Sequence, residues 1–392
     1  MRIGIAGPVS LEVLQDLFPV GTRFPKTYSF PLIGKLARSL VGLGHEVTVF
    51  AGSDVLTETK EWRGEGIRIV VCPRRIRRAP YDFFKLERRY LSQAMRSSDC
   101  EVIHAHWNYE FAAAALDSGK ASLVTAHDSP LAILGYFIRT RYAPNWFFRA
   151  LLGAATLHRS PVVTAVSPYL RDHIRGSLRL RGEIRVIPNG IDQTWLEQGE
   201  KRLREGVPSS PFTVVTVMDG FGGRKNSKNA LRAFQMLRLN RPEARLTMYG
   251  NGHGPEEAGS WAIRNQLAEG VLFAGRRPQE EIAHFMLHHA HVLLHPSLEE
   301  SFGMAPLEAM ALGVPVIGGS DSGGVPYVVG EAGLLVDARS VESMAKALER
   351  LADSTELGRE LGRQGWERAG SEFSMERMVR SYEQEYRRVL EV

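Results

Sequence analysis

The 392-residue sequence predicts an α/β protein made of two doubly wound parallel-sheet domains. Three observations carry this. Short apolar strands alternate with amphipathic helical stretches along most of the chain. The length exceeds that of one ordinary domain, and a polar Gly/Pro/Ser stretch interrupts the series near mid-chain.

The first strand is the apolar run Arg2 to Ala6. After a loop, Leu32, Leu36, Ala37, Leu40 and Leu43 recur at helical spacing, and the helix stops at Gly42-Leu43-Gly44. His45-Glu46-Val47-Thr48-Val49-Phe50 is then a β-branched strand ending at Ala51-Gly52. A strand–helix–strand unit of this kind implies a parallel pair with a right-handed crossover. The unit recurs through strand 102–104, helix 112–116, strand 123–125, strand 162–166 and strand 184–187, closed by Pro188-Asn189-Gly190.

Residues 191–211 read as a linker or hinge, marked by Gly206, Pro208, Ser209, Ser210 and Pro211. The second series follows as strand 212–217, helix 230–239 and strands 246–249, 271–273, 292–294 and 315–317. In the last stretch Met375, Met378, Val379, Tyr382, Tyr386 and Val389 form one helical stripe. The expected division is 1–190, an N-terminal domain for the acceptor; 191–211, the hinge; 212–370, a C-terminal donor domain; and 371–392, a crossover helix packing back on the first domain. Both domains are Rossmann-like and are expected to face each other across a cleft, with ligands beyond the carboxyl ends of the strands.

Composition is that of a globular protein, 44% hydrophobic and 24% charged. Two distant cysteines, Cys72 and Cys100, suit small core residues in a reducing cytoplasm better than a zinc or redox motif. The N-terminus is unlike a secretory signal, and no apolar run is long enough to span a bilayer. The net charge of +5 is unevenly spread: residues 1–187 carry 26 Lys+Arg against 16 Asp+Glu, the remainder 23 against 28. A basic half coupled to an acidic half suggests an anionic partner for the first, although a merely solvated basic surface would look the same.

The most informative stretch runs from His295 to Ala311, HPSLEESFGMAPLEAMA, directly after an apolar strand. Pro306 suits an early helical position, and Gly313 and Pro315 end the helix. Free amides around Phe302, Gly303 and Met304 would then point out of a helix N-terminus, where a diphosphate gains charge-assisted hydrogen bonds. Glu300 before the helix and Glu308 in its first turns could each accept from paired hydroxyls of a polyol. The spacing alone is equally compatible with acids that merely favour a helix N-terminus.

This segment resembles the E-x7-E motif of the large GT-B glycosyltransferase family 4, which includes sucrose synthases and mannosyltransferases of bacterial envelopes. The resemblance covers almost the whole chain. It includes Gly44-His45-Glu46-Val47-Thr48-Val49, Ile187-Pro188-Asn189-Gly190-Ile191-Asp192, Tyr249-Gly250-Asn251-Gly252-His253-Gly254-Pro255-Glu256, Ser322-Gly323-Gly324-Val325-Pro326 and Gly333-Leu334-Leu335-Val336. It implies that Glu308 binds the ribose hydroxyls of a nucleotide, that Glu300 contacts donor-sugar hydroxyls beside the reacting carbon, and that backbone amides of Ser301, Phe302, Gly303 and Met304 meet the phosphates.

The family also presents an Arg and a Lys to the diphosphate. Lys225 falls on the lysine; the arginine position falls near Gly220, so Arg224 or Lys228 is expected to supply the second charge. His127, ending a strand in Thr125-Ala126-His127-Asp128, resembles the family's histidine beside the donor sugar. Candidate catalytic residues are therefore His127, Glu300 and Lys225. Gly21, His106 and Trp107 are candidate acceptor contacts. The family's glycine pair near the first loop, beside the acceptor, is missing, with Gly7-Pro8 and Gly21 the nearest candidates, and the Glu expected after Gly-Gly-x-Pro is Tyr327. No metal site is expected: His104 and His106 share a strand face without an evident third ligand, and in the cluster His284, His288, His289, His291 and His295 the i, i+4 members read as the outside of a helix.

Arg74, Arg75, Arg77, Arg78, Lys85, Arg88 and Arg89 interleave with Tyr81, Phe83 and Phe84. Arg139, Arg141, Arg149 and Arg159 interleave with Phe137, Tyr142, Trp146, Phe147 and Phe148. Such mixtures suit an anionic membrane surface, and also suit amphipathic helices packed on a sheet. The function these residues imply is retaining, metal-independent transfer of a sugar from a nucleoside diphosphate sugar, the co-substrate. The acceptor is a hydroxyl of a lipid-linked or envelope glycan. The protein would be cytoplasmic, touching the membrane peripherally, with no nucleic-acid partner. An epimerase on the same architecture and an inactive sugar-nucleotide or membrane-surface binding protein are the alternatives.

Overall fold

The computed structural model describes residues 1–28, 30–206 and 211–391. The chain divides into two compact units, Met1–Asn189 with Glu376–Val392, and Gly190–Met375.

Unit 1 holds an eight-stranded sheet of β1 (Arg2–Ala6), β2 (Glu46–Ser53), β3 (Lys60–Arg63), β4 (Ile67–Pro73), β5 (Val102–His106), β6 (Ala121–Ala126), β7 (Val162–Ala165) and β8 (Ile184–Val186). Its order is β3-β4-β2-β1-β5-β6-β7-β8. All pairs are parallel except the β3/β4 edge, where Lys60 faces Val71 in an antiparallel register. Strands buried on both faces need continuous apolar runs, and β1, β2 and β5 are buried almost throughout. Sequence reading did not single out β3 and β4; β3 is exposed at the edge and lacks the apolar alternation that marks a strand.

The helix Met375–Glu391 closes unit 1. The stripe read from its sequence is the face it buries: Met378, Val379, Tyr382, Tyr386 and Val389 are each under a tenth exposed. Tyr386 meets the side chain of His104 and Tyr382 that of Thr125, and Glu385 and Glu383 pair with Arg185 and His45 at 2.8 Å each. The helix therefore packs on the N-terminal sheet, as expected.

Unit 2 holds β9 (Thr213–Val217), β10 (Arg245–Tyr249), β11 (Val271–Gly275), β12 (Val292–His295), β13 (Val316–Gly319) and β14 (Leu334–Val336). They form a parallel sheet in the order β11-β10-β9-β12-β13-β14. Phe234 and Leu237 of helix Ser227–Asn240 and Met344 and Leu348 of helix Val341–Asp353 pack with Leu246 and Leu294 in its core.

The stretch read as a hinge differs from expectation. Residues Gln193–Glu205 form a helix integrated in unit 2. Arg202 donates to the carbonyls of Met286, Leu287 and Ala290, and Trp366 donates to that of Leu196. A Cβ on Gly199 would lie 2.0 Å from the Ala311 carbonyl oxygen, so only glycine lets this helix approach Met304–Ala311 so closely. Polarity suggested a linker because most of the helix faces outward; its anchors are few and long-range. Pro208, Ser209 and Ser210 lie outside the described residues.

Candidate active site

In unit 2 the strand order reverses at β9 and β12. These are sheet neighbours, with Val292 beside Val214 and Leu293 beside Val215. Loops leaving their carboxyl ends therefore meet, which is where open parallel sheets bind ligands. The β9 loop brings Arg224 and Lys225; the β12 loop brings His295, Glu299 and Glu300. The Leu298 amide donates to the Arg224 carbonyl at 2.7 Å and ties the loops together.

Lys225 Nζ donates to Glu300 Oε1 at 2.5 Å. Arg224 Nη1 lies 3.8 Å from Glu300 Oε2 and 3.6 Å from Glu299 Oε2, and His295 Nε2 is 3.4 Å from Glu300 Oε1. Burial alone would raise the Glu300 carboxyl. Lys225 first, then His295 and Arg224, outweigh it and hold the group well below the usual carboxylate range. Glu300 is thus a fixed anion facing a cationic wall.

The helix Met304–Ala311 begins just beyond this cluster, and its first-turn amides have no carbonyl partner within the helix. Its N-cap, Gly303, has φ +111°, a left-handed conformation that side chains resist. Phe302 is buried edge-on to Phe373, with ring centroids 5.8 Å apart, which anchors the turn. The Gly324 amide donates to the Glu300 carbonyl at 2.7 Å, and a Cβ on Gly324 would sit 2.5 Å from the Ser301 carbonyl oxygen. The Ser322-Gly323-Gly324 motif is therefore a backing for this turn.

Glu308, half-buried on the same helix, accepts from Gln279 Nε2 at 2.6 Å. Sequence reading missed Gln279, since nothing local distinguishes it at the start of helix Gln279–His288.

The structure does not bring Lys228 to this group. Its ammonium lies over the rings of Trp261 and Phe221, 5.0 and 5.8 Å from their centroids. The five C-terminal histidines take different roles. His284 and His288 meet with tilted rings, centroids 4.5 Å apart, on the outside of their helix, His291 accepts from the Thr213 amide, and His295 is buried against Glu300. Tyr327 packs edge-on to Phe373 and donates no carboxylate.

Unit 1 has its own reversal, at β1 and β5. A cavity of about 370 Å³ opens at these strand ends, lined by Pro8 after β1, Arg74 after β4, Trp107 and Tyr109 after β5, and Asp128 after β6. Trp107 also stacks on His127, with ring centroids 4.3 Å apart. It does so with φ +65°, an uncommon conformation for a bulky residue.

His127 Nε2 lies 2.9 Å from His106 Nδ1. The His106 ring packs on that of His104 at 4.0 Å, and His104 is held by Tyr386 at 2.8 Å and Thr125 at 2.7 Å. Burial lowers all three histidines, His127 to about 3, so the ladder is neutral. His106 and Trp107 are therefore brought to His127. His106 is buried behind it and does not line the cavity, and its Nε2 has no hydrogen-bond partner among the described residues. Gly21 is not brought there: it is exposed, with open space where a Cβ would stand, whereas Pro8, in the other first-loop candidate, lines the cavity.

Comparison with known proteins agrees with this division. The model of Glycosyltransferase Family 4 matches residues 32–195, and that of Glycosyl transferases group 1 matches residues 200–368. N-acetyl-alpha-D-glucosaminyl L-malate synthase of Bacillus anthracis is 26% identical over 324 residues, covering 79% of this chain and 80% of that protein. D-inositol 3-phosphate glycosyltransferase of Corynebacterium jeikeium (strain K411) is 32% identical over 204 residues, about half of each chain at 48%. Among solved structures, sucrose-phosphate synthase from Thermosynechococcus elongatus superposes with a TM-score of 0.73 at 20% identity, covering 99% of this chain and 98% of that one. With a glycosyltransferase model on each half and the parallel sheets of the GT-B fold in both units, this protein is a GT-B glycosyltransferase.

Proposed function

We propose that the protein transfers a sugar from a nucleoside diphosphate sugar to an acceptor hydroxyl with retention of anomeric configuration. The observation that carries this reading is the contact of Lys225 with Glu300 at the mouth of helix Met304–Ala311. A diphosphate at that helix N-terminus would lie against Lys225 and Arg224, whose positive charge stabilises the negative charge that grows as the glycosidic bond breaks. Glu300 would hold donor-sugar hydroxyls, and Glu308, oriented by Gln279, the ribose.

Because these side chains supply the cation, we expect transfer to continue in the presence of a chelator. Glu300 is committed to Lys225, which leaves it poorly suited as a covalent nucleophile. Attack and departure on the same face of an oxocarbenium-like centre is then the expected route. His127, neutral and stacked on Trp107, would act as a hydrogen-bond partner and not as an acid.

The test combines a donor panel with product analysis. A nucleoside diphosphate held at 100 times its Kd should stabilise the protein by about 2.7 kcal/mol. The matching donor sugar should give an α product from an α donor by NMR. An inverted product removes the retaining mechanism, and no stabilisation by any nucleotide removes the donor site.

The basic–aromatic stretches support a membrane contact in reduced form. Arg75, Arg88 and Arg159 are committed to Asp82, Glu87 and Asp117. Ile76, Tyr81, Phe83, Ile138, Tyr142 and Phe147 stay exposed, and Phe148 contacts both Tyr81 and Phe83, so the two stretches form one face. No described helix is long and apolar enough to cross a membrane. We expect sedimentation with anionic but not zwitterionic vesicles; equal behaviour on both would remove the contact.

A further inference from the structure

We infer that the cavity of unit 1 seats an acceptor group that combines hydroxyls with one anion, a carboxylate or a phosphate. This rests on the proposed transfer reaction and names the acceptor class for it. At about 370 Å³ the cavity lies near the small end of ligand pockets, which span about 300–1,000 Å³. It fits a small hydroxylated molecule or the head of a larger one.

Three guanidiniums line the wall: Arg74, Arg75 and Arg149. Arg75 is occupied, bonded to both Asp82 and Glu87. The other two are not. Arg74 meets the Tyr28 ring at 5.7 Å, and Arg149 donates to the Asn145 side chain at 3.2 Å. Among the described residues, neither Arg74 nor Arg149 has a carboxylate within ion-pair distance. Arg149 is also fixed by three rings, Phe84, Tyr109 and Trp146, at 4.8, 5.4 and 5.5 Å. A guanidinium so held has lost its rotamer freedom before any ligand arrives, and its planar fork matches carboxylate and phosphate oxygens. Glu110 offsets part of this charge from beyond ion-pair distance, and a neutral sugar would leave both guanidiniums without a direct counter-ion.

The same cavity carries acceptors for hydroxyls. Asp128 takes the Tyr109 hydroxyl at 2.8 Å, and both Asp128 and Glu110 line the wall as carboxylates. Burial raises the Glu110 carboxyl, and Arg149 and Arg74 partly offset this, so the acid and the two arginines act on one another. Asp128 directly follows His127, and Trp107 both lines the cavity and stacks on His127. A hydroxyl held by Asp128 is thereby placed beside the histidine assigned to the reaction.

Trp107 and Trp146 line the cavity, so binding can be read from tryptophan fluorescence of the whole protein without donor or turnover. Glucose 6-phosphate and L-malate are the soluble anionic probes, with glucose as the neutral control. Phosphatidylinositol in phosphatidylcholine vesicles is the lipid arm, against phosphatidylcholine alone. A saturable change with a soluble anion but not with glucose, weakened at least tenfold in Arg74→Gln and Arg149→Gln, supports a free small acceptor. The same change with phosphatidylinositol vesicles only, lost in both variants, supports a lipid headgroup of the same chemistry.

Arg149→Lys keeps a cation on the rings, and Arg74→Gln removes a half-buried group, so folding, checked by near-UV circular dichroism, separates from binding. Equal response to glucose, no response to any anion, or unchanged affinity in both glutamine variants overturns the inference. Nucleotide stabilisation is measured alongside. If nucleotides bind and anions do not, the cavity assignment alone fails; if no nucleotide binds, the transfer reading beneath it fails.

Discussion

Replacing Lys225 by Met separates a structural ion pair from a chemical one. Lys225 and Glu300 are only 14% and 16% exposed, and their charged atoms are 2.5 Å apart. Removing one partner of a largely buried pair costs about 3–5 kcal/mol, because a desolvated charge is left behind. Here Arg224 at 3.8 Å and His295 at 3.4 Å remain beside Glu300, so the low end, about 3 kcal/mol, is expected for Lys225→Met. If Lys225 also meets the leaving diphosphate, kcat should fall about 10²–10³-fold, the usual effect of deleting one preorganised electrostatic contact.

The double variant Lys225→Met/Glu300→Gln decides between the roles. Neutralising Glu300 removes the stranded charge, so urea denaturation should recover most of the lost stability. Turnover should stay low. Recovery of kcat together with stability would refute leaving-group stabilisation and make the pair purely structural.

Further outcomes follow from the same geometry. Glu308→Ala should raise the donor KM about tenfold with kcat within a few-fold, and Gln279→Ala should act in the same direction more weakly; a fall in kcat with unchanged KM would contradict the ribose role. Gly324→Ala pushes a methyl against the Ser301 carbonyl oxygen and should cost about 1–3 kcal/mol with a matching loss of nucleotide affinity, measured by denaturation and calorimetry. Unit 1 should lose stability as pH falls. Burial lowers His104, His106 and His127 below the ordinary 6.5, so the unfolded chain binds more protons below that pH. Their contribution is full above about pH 6.5 and shrinks toward lower pH, by about 1.4 kcal/mol per pH unit for each histidine. Glu300 adds in the same sense only nearer pH 4, and a flat profile between pH 7 and 5 in urea denaturation would contradict the neutral ladder.

Local pattern made much of this protein readable. Strands buried on both faces must be continuously apolar, so β1, β2, β5 and β12 announce themselves. The stripe through Tyr382 and Tyr386 announces a helix with one buried face. Glycine and proline around Phe302 to Pro306 mark a helix start, because few other residues tolerate those conformations. What the pattern did not carry was partnership. The polar face of Gln193–Glu205 looked like a linker because its anchor, Arg202, reaches carbonyls more than eighty residues away. Chain position offered both Gly7-Pro8 and Gly21 beside the acceptor, whereas strand order places Pro8, with Arg74 and Asp128, at the cavity and leaves Gly21 outside its lining.

The sequence by itself therefore determined the type of most elements, the duplicated parallel-sheet plan and the segment that carries the donor-side acids, since each depends largely on residues within a turn or two of one another. The tertiary structure alone decided which loops share a site. Lys225 and Glu300 lie 75 positions apart and meet because β9 and β12 are adjacent where the sheet order reverses; His104 and Tyr386 lie 282 apart and meet because the last helix folds onto the first sheet. The same packing left Arg74 and Arg149, from two basic stretches, facing a cavity while Arg75, Arg88 and Arg159 found carboxylates. Burial and pairing of a charge depend on what surrounds it in space, and strand order, not spacing along the chain, sets those surroundings.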